Sequence, residues 1–238
     1  MYRNLLALTL IIPQMIQAEN WPRFRGPNGA GISKDAIPIK WAKTNYKWKT
    51  PLPATGHGSP IVWDDKIFLI CADESDGSRT PVAIDANTGK ILWSKNFEAA
   101  KHKHHKQNSF ASSTPTVDDS GVYFSWGTPE TLTLLALTHD GKMKWRANLG
   151  PVKGGHGFGA SPIIHGGMII LNNDQDGASS LIALDQLTGD IKNIEPGSAR
   201  INGYCNPKGR LLAILQVVRD GNDFLLLSDS SIMKNILQ

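Results

Sequence analysis

The densest group of side chains able to do chemistry is a run of histidines and lysines, Lys101-His102-Lys103-His104-His105-Lys106. Imidazole nitrogens are common metal ligands, so clustered histidines raise the question of a metal site. The interleaved lysines would repel a cation, and the run contains no carboxylate or thiol. We therefore expect a solvated insertion here and assign no metal ligands.

A glycine-rich stretch, Gly154-Gly155-His156-Gly157-Phe158-Gly159-Ala160-Ser161, is the next candidate. Glycine-rich loops hold phosphate where they open a helix, because the helix N-terminus supplies free N–H groups. An apolar, β-branched run follows this stretch, which predicts a strand instead. We expect a loop without a phosphate site.

The composition is typical of a folded protein: 238 residues, 40% hydrophobic and 19% charged, with seven tryptophans. The net charge of +4 is too small to indicate a nucleic-acid partner. Residues 1–18 combine one arginine, an apolar run over 5–12 and a terminal alanine, which predicts a signal peptide. A first strand or a buried helix is the alternative. No apolar run reaches the roughly 18 residues of a membrane-spanning helix, so we predict an exported protein, periplasmic or secreted.

An internal repeat organises the chain, and Pro60, Pro115 and Pro162 hold equivalent positions in its three copies. Each copy begins with Ser/Thr-Pro and two apolar runs about a tight turn, the pattern of a hairpin. Each closes with Asp-x-x-Thr-Gly or a shortened form, where Asp accepts turn N–H groups and Gly supplies a positive φ. The motif residues are Ala83, Asp85, Thr88, Gly89 and Trp93, then Asp140, Gly141 and Trp145, then Asp185, Thr188 and Gly189.

Four short strands per copy, without helical periodicity, predict an all-β fold, a β-propeller of four-stranded antiparallel blades. Three to four blades are too few for a closed ring, so we predict an incomplete arc from a longer propeller. Residues 217–228 predict the opening hairpin of the last, partial copy. The predicted divisions are an N-terminal segment at 19–52 with a candidate ring-closing strand at 41–50, then propeller blades over 53–238, at about 53–98, 108–150, 156–195 and 200–238.

Any ligand site is expected at one mouth of the propeller axis. His57 and His156 precede the Ser/Thr-Pro of the first and third copies, and Asn108 precedes that of the second. Loops before equivalent strands lie at the same end of a propeller. We take these three residues as candidates and assign no catalytic residue.

The complete motif at residues 83–93, Ala-x-Asp-x-x-Thr-Gly-x-x-x-Trp, resembles the signature of pyrroloquinoline quinone (PQQ)-like repeats. The opening at residues 21–31, with Trp41 and Trp48-Lys49 after it, is similar to exported PQQ-like propeller proteins. The resemblance covers about residues 20–192 and implies that the Trp of one blade packs on the Thr-Gly turn of the next. Asn193 stands where the third copy would have Trp.

Two groups share these repeats, so the resemblance implies two kinds of function. Quinoprotein dehydrogenases bind PQQ with a calcium ion and an Asp base, and many have a disulfide between adjacent cysteines. The propeller lipoprotein of the outer-membrane assembly machinery recruits a partner without catalysis. Here Cys71 and Cys205 are not adjacent, and neither follows the apolar leader as a lipidated cysteine would. Whether they pair is left open.

We therefore predict a noncatalytic binding or scaffold protein of the cell envelope, without a bound cofactor. Its partner would be another protein or an envelope polymer. The alternatives are a fragment of a PQQ-dependent dehydrogenase-like enzyme and a fragment with no function.

Overall fold

The apolar runs after each Ser/Thr-Pro form paired strands, as β-branched and aromatic residues favour. The computed structural model describes residues 19–35, 38–177 and 179–191, and beyond these only the backbone of three strands. A short 3-10 helix, Lys43–Asn45, precedes the strands. The strands are β1 (Ile61–Trp63), β2 (Lys66–Ala72), β3 (Arg79–Asp85), β4 (Ile91–Ser94), β5 (Thr116–Asp118), β6 (Gly121–Gly127), β7 (Leu132–Leu137), β8 (Met143–Asn148), β9 (Ile163–His165), β10 (Met168–Asn173), β11 (Ser180–Asp185), β12 (Ala199–Cys205), β13 (Leu211–Asp220) and β14 (Asp223–Leu227).

The strands form antiparallel sheets that follow the repeat. The first two sheets have the orders β1-β2-β3-β4 and β5-β6-β7-β8, and the third joins β9, β10 and β11. A bridge between Leu184 and Ile191 stands beside β11 where the other sheets have a fourth strand. We call these sheets blades 1, 2 and 3. The predicted all-β fold of repeated antiparallel blades is confirmed, and the described residues include no α-helix.

A fourth sheet has the order β12-β13-β14. The hairpin of β13 and β14, closed by the pair Asp220 and Asp223, lies where the sequence predicts one. However, β12 comes before this hairpin and pairs with β13. The prediction that this hairpin forms the first two strands of its sheet is therefore wrong. Asn193 lies outside the described residues.

The blades stand side by side, with their first strands adjacent: β1 contacts β5, and β5 contacts β9. Equivalent hydrogen bonds join them. The Ser59 N–H donates to Thr114 Oγ1 at 2.9 Å, and the Thr114 N–H donates to Ser161 Oγ at 3.0 Å. These are the Ser/Thr residues before the repeated prolines, so one bond recurs at each step between blades.

Apolar side chains fill the spaces between blades. Phe68 of blade 1 packs in one cluster with Phe124 of blade 2, whereas Tyr123 packs with Ile169 of blade 3. Neighbouring residues of β6 reach different clusters because successive side chains of a strand point to opposite faces. Burying each ring or branched side chain contributes about 1.5–3 kcal/mol, so packing between blades is a main source of stability.

The N-terminal segment lies against the first blades. Trp21 pairs with Val62 through two N–H···O bonds of 2.9 Å, and the Pro22 carbonyl accepts from the Val117 N–H at 2.9 Å. Residues 21–22 thus join the first strands of blades 1 and 2. Residues 41–50 include the 3-10 helix and no strand. Their part in closing a ring remains a prediction.

Candidate functional site

The repeated turns are built around one side-chain acceptor in blades 1 and 3. Asp85 Oδ1 accepts from the Asn87 and Thr88 N–H groups, at 3.0 and 2.7 Å, and from the Thr88 hydroxyl at 2.9 Å. These hydrogen bonds, led by those from Thr88, lower the pKa of Asp85. Asp185 accepts from the equivalent N–H groups at 2.9 and 3.0 Å. Both carboxylates hold a turn together, which accounts for their place in the motif.

Blade 2 builds the same turn differently. The acceptor is Thr138 Oγ1, which receives the Lys142 N–H at 3.0 Å. Asp140 instead accepts a bond from the Thr138 hydroxyl and lies 3.1 Å from Lys142 Nζ. The expectation that Asp140 caps the turn N–H groups is therefore corrected: in this shorter turn the hydroxyl two residues earlier takes that role.

Each of these turns receives a tryptophan. The indole N–H groups of Trp93 and Trp145 donate to the carbonyls of His139 and Gln186 in the next blade, at 2.9 and 3.1 Å. Each ring covers the glycine of that turn, Gly141 or Gly189, where a Cβ would lie under 3 Å from ring atoms. A glycine is required because any side chain would occupy the space of the ring. The motif residues thus join one blade to the next.

A third tryptophan makes the same contact without belonging to any predicted copy. Trp48 donates to the Ala86 carbonyl at 3.0 Å and covers Gly89. The sequence placed Trp48 in the resembling opening and in the candidate ring-closing strand at 41–50, but indicated no contact with a motif turn. Its immediate neighbours were the available signal, since Lys47-Trp48-Lys49 parallels Lys144-Trp145-Arg146.

The candidate ligand residues lie in the loops before β1, β5 and β9, at 53–60, 99–115 and 151–162, which we call the mouth loops. The His57 N–H donates to the Ala111 carbonyl at 3.0 Å and contacts Ser109 Oγ at 3.2 Å. Asn108 Nδ2 donates to the His156 carbonyl at 2.6 Å. The loop of blade 2 thus contacts both histidines, so the three candidates share one edge.

The histidine run belongs to the same loops and is partly packed. The rings of His102 and His104 lie on Phe110, with centroids 4.9 and 4.6 Å away. His104 Nε2 lies 3.3 Å from Glu74 Oε2. Burial lowers the pKa of His102, so its neutral form is favoured. The prediction of a solvated insertion therefore holds only in part.

A buried arginine lies beneath this run. Arg79 is fully buried, with its guanidinium carbon 4.7 Å from the centroid of Phe110. It donates to the Gly77 carbonyl, while Nε and Nη2 have no hydrogen-bond partner among the described residues. Burial lowers the pKa of Arg79 to about 10, although Glu74 opposes the shift. The Arg79 side chain thus packs against Phe110 in the interior. Keeping its guanidinium charged there costs free energy, because the group has lost its contact with water.

The part of the chain that the structure describes does not supply the ligands that a calcium-held quinone would need. Across the described residues, no three His, Cys, Asp or Glu side chains gather as a metal site would require. Glu74, the carboxylate at the histidine run, is already 3.3 Å from His104. Cys71 is a free thiol buried in blade 1, and burial raises its pKa.

Comparisons with solved structures gave matches that include a methanol dehydrogenase and a quinohemoprotein alcohol dehydrogenase. A europium-containing methanol dehydrogenase is similar over 58% of this chain and 24% of its own, with 14% identity and a TM-score of 0.43. The quinohemoprotein alcohol dehydrogenase ADHIIG from Pseudomonas putida HK5 is similar over 71% of this chain and 32% of its own, with 16% identity and a TM-score of 0.40. The chain thus spans a quarter to a third of the length of these proteins. A comparison with curated protein sequences gave no match.

A protein-family comparison matched residues 78–199, just over half of the chain, to the family described as outer membrane protein assembly factor BamB. The match spans β3 and β4 of blade 1 and the whole of blades 2 and 3, with the motif turns that receive Trp93 and Trp145. The described residues contain no helix long and apolar enough to cross a membrane. The chain belongs to this PQQ-like repeat family.

Proposed function

We propose that the protein is a noncatalytic binding or scaffold component of the cell envelope, which recruits another protein through the outer surface of its blades. One observation carries the proposal: the polar residues singled out from the sequence are engaged in building the turns and in joining the loops of the propeller. Asp85 and Asp185 build turns, and Asn108 joins two mouth loops. The description of the family as an outer membrane protein assembly factor supports a role in protein assembly.

The outer strand of blade 1 supplies the surface for such a partner. β4 is the last strand of its sheet, and its residues Ile91 and Leu92 are exposed. The last strand of a sheet offers N–H and C=O groups to an added strand, and exposed apolar side chains stabilise the pairing. An extended segment of another protein fits this edge.

The proposal is tested by placing a photo-crosslinking amino acid at Leu92 of the full chain in cells that export it. We expect a crosslink to one protein, lost on Ile91→Lys. The matched control is Leu187→Lys, an exposed leucine in a blade 3 turn, which should leave the crosslink unchanged. No crosslink, or one that is insensitive to Ile91→Lys, would contradict the proposal.

The alternative function, a piece of a PQQ-dependent dehydrogenase, gives the opposite result in a second assay. The purified chain is mixed with PQQ and Ca²⁺, and alcohol-dependent reduction of an electron-accepting dye is followed. Our proposal predicts no reduction above a control without protein. Reduction that requires both the chain and PQQ would overturn the noncatalytic function.

A further inference from the structure

The charge of the chain is unevenly distributed. The N-terminal segment, residues 19–52, contains seven basic and two acidic residues, whereas residues 53–238 contain 17 basic and 19 acidic residues. The blades are thus close to neutral, and the positive charge is concentrated in the N-terminal segment. Its basic residues are Arg23, Arg25, Lys34, Lys40, Lys43, Lys47 and Lys49.

Part of this segment is fixed to blade 1. The Trp48 ring covers Gly89, and the Thr50 hydroxyl donates to the Gly89 carbonyl at 2.5 Å. Lys47 Nζ reaches Asn87 Oδ1 of the same turn at 3.4 Å. The base of the segment therefore has a defined position, set by the same contact that joins successive blades.

Beyond this base the chain presents large apolar side chains to solvent. Ile39 is 91% exposed and Trp41 is 63% exposed, and Tyr46 is also exposed. The 3-10 turn next to Trp41 is closed by Asn45, whose Oδ1 accepts the Ala42 N–H at 2.6 Å. We call Ile39, Trp41 and Tyr46 the apolar tip. The exposed Lys40 lies between Ile39 and Trp41 in the chain, and Nζ of the exposed Lys49 lies 4.4 Å from the Tyr46 ring centroid.

We propose that the apolar tip and its lysines dock the protein on an anionic lipid surface. Tryptophan and tyrosine favour the interface between lipid headgroups and acyl chains, and an exposed isoleucine gains by leaving water there. Lysines beside such an insertion are attracted to anionic headgroups. A purely basic surface would suit any polyanion; the exposed isoleucine and tryptophan between lysines favour a membrane.

This inference goes beyond the proposed function and does not depend on it. The partner surface of β4 is on blade 1 itself, whereas the tip lies in the segment before the blades. A chain that binds no protein at β4 would still bind lipid through the tip. Likewise, failure of lipid binding would leave the crosslinking result at Leu92 unaffected.

The test is cosedimentation of the purified full chain with vesicles of phosphatidylcholine alone or mixed with phosphatidylglycerol. Each lysine near an anionic surface contributes about 1 kcal/mol, or roughly fivefold in affinity. We therefore expect Lys40→Gln/Lys49→Gln to weaken binding to the anionic vesicles by at least about tenfold. Ile39→Ser/Trp41→Ser should also weaken it about tenfold or more, because the tip no longer inserts. Binding of the unchanged protein should fall as salt rises.

The controls match each change elsewhere in the molecule. Lys95→Gln/Lys101→Gln removes the same charge from exposed positions after β4, and Leu187→Ser removes an exposed apolar side chain. Both should bind like the unchanged protein. All variants carry the same apolar residues 5–12, so differences between them report the tip.

Three results would overturn the proposal. The first is equal binding to neutral and anionic vesicles, and the second is equal loss in the control and tip variants. The third is no vesicle binding by the unchanged protein. If Ile39→Ser/Trp41→Ser then abolished self-association in light scattering, the tip would instead be an interface between two copies of the chain.

Discussion

At the residue scale, the glycines of the motif turns are explained by the tryptophans that cover them. Gly141 has a φ of +82°, and a Cβ there would lie 2.8 Å from the Trp93 ring. Gly167 has a similar φ of +73° but no atom within 4 Å of its Cβ position. The two positions therefore separate the cost of the backbone conformation from the cost of displacing the ring.

We predict that Gly141→Ala lowers the free energy of unfolding by about 3 kcal/mol and Gly167→Ala by about 1 kcal/mol. A non-glycine residue with left-handed backbone costs about 1–2 kcal/mol, and only Gly141→Ala also displaces an indole. Urea unfolding followed by circular dichroism measures both. Equal losses would mean that the ring contact does not determine the choice of glycine.

Arg79 gives a second prediction at this scale. Burial lowers the pKa of Arg79 to about 10, below the ordinary value of an arginine, so the folded state disfavours the charged form. This cost is present at every pH below about 10 and is relieved only as the pH rises above that value. Arg79→Met removes the charge and keeps an apolar side chain against Phe110. We expect the free energy of unfolding at neutral pH to rise by about 1 kcal/mol or more; a decrease would show that the guanidinium is net stabilising.

At the scale of elements, the hairpins and turns were predictable from sequence because their causes are local. Asp64-Asp65 and Gly166-Gly167 lie in the predicted hairpin turns, and Asp85 and Asp185 accept bonds within a few residues. Contacts between blades were harder to predict, because Trp48 and Ala86 are remote in sequence and resemblance alone indicated such packing. In blade 2, Thr138 takes the role that Asp85 and Asp185 have in the other turns. The sequence did not indicate this, because the turn of blade 2 is shorter than the complete motif.

The same local turns predict how stability depends on pH. The pKa of Asp85 is lowered by hydrogen bonds from Thr88, so its contribution is full above the ordinary value of 3.8. It is lost as the pH falls through the lowered pKa. We predict that the urea midpoint declines as the pH drops below 3.8, and that Asp85→Asn, which cannot titrate, shows a shallower decline. Identical pH profiles would show that this turn does not depend on the carboxylate.

At the scale of the whole molecule, the candidate site was only partly predictable. His57, Asn108 and His156 come to one edge because equivalent loops begin equivalent strands. The sequence did not indicate that Asn108 and the backbone of His57 are engaged in bonds between loops, or that Arg79 lies buried beneath His102. Those contacts depend on how neighbouring blades meet, which no local pattern encodes.

Packing between blades makes a further prediction for the whole chain. Trp93 contacts both its own blade and the next turn, so Trp93→Ala should lower the free energy of unfolding by about 3 kcal/mol. Leu92→Ala, an exposed neighbour on the same strand, should change it by less than about 0.5 kcal/mol. Urea unfolding at equilibrium measures both. Similar effects of the two changes would place Trp93 outside the interface.

The motif turn of each blade receives the tryptophan of the preceding blade, or of the N-terminal segment in the case of blade 1. Nuclear Overhauser effects between indole protons and glycine α protons test this packing most directly. We expect three matched sets of effects, Trp48 with Gly89, Trp93 with Gly141 and Trp145 with Gly189, with the glycine protons shifted upfield by the rings. Nuclear Overhauser effects within one blade instead, such as Trp93 with Gly89, would contradict this packing between blades.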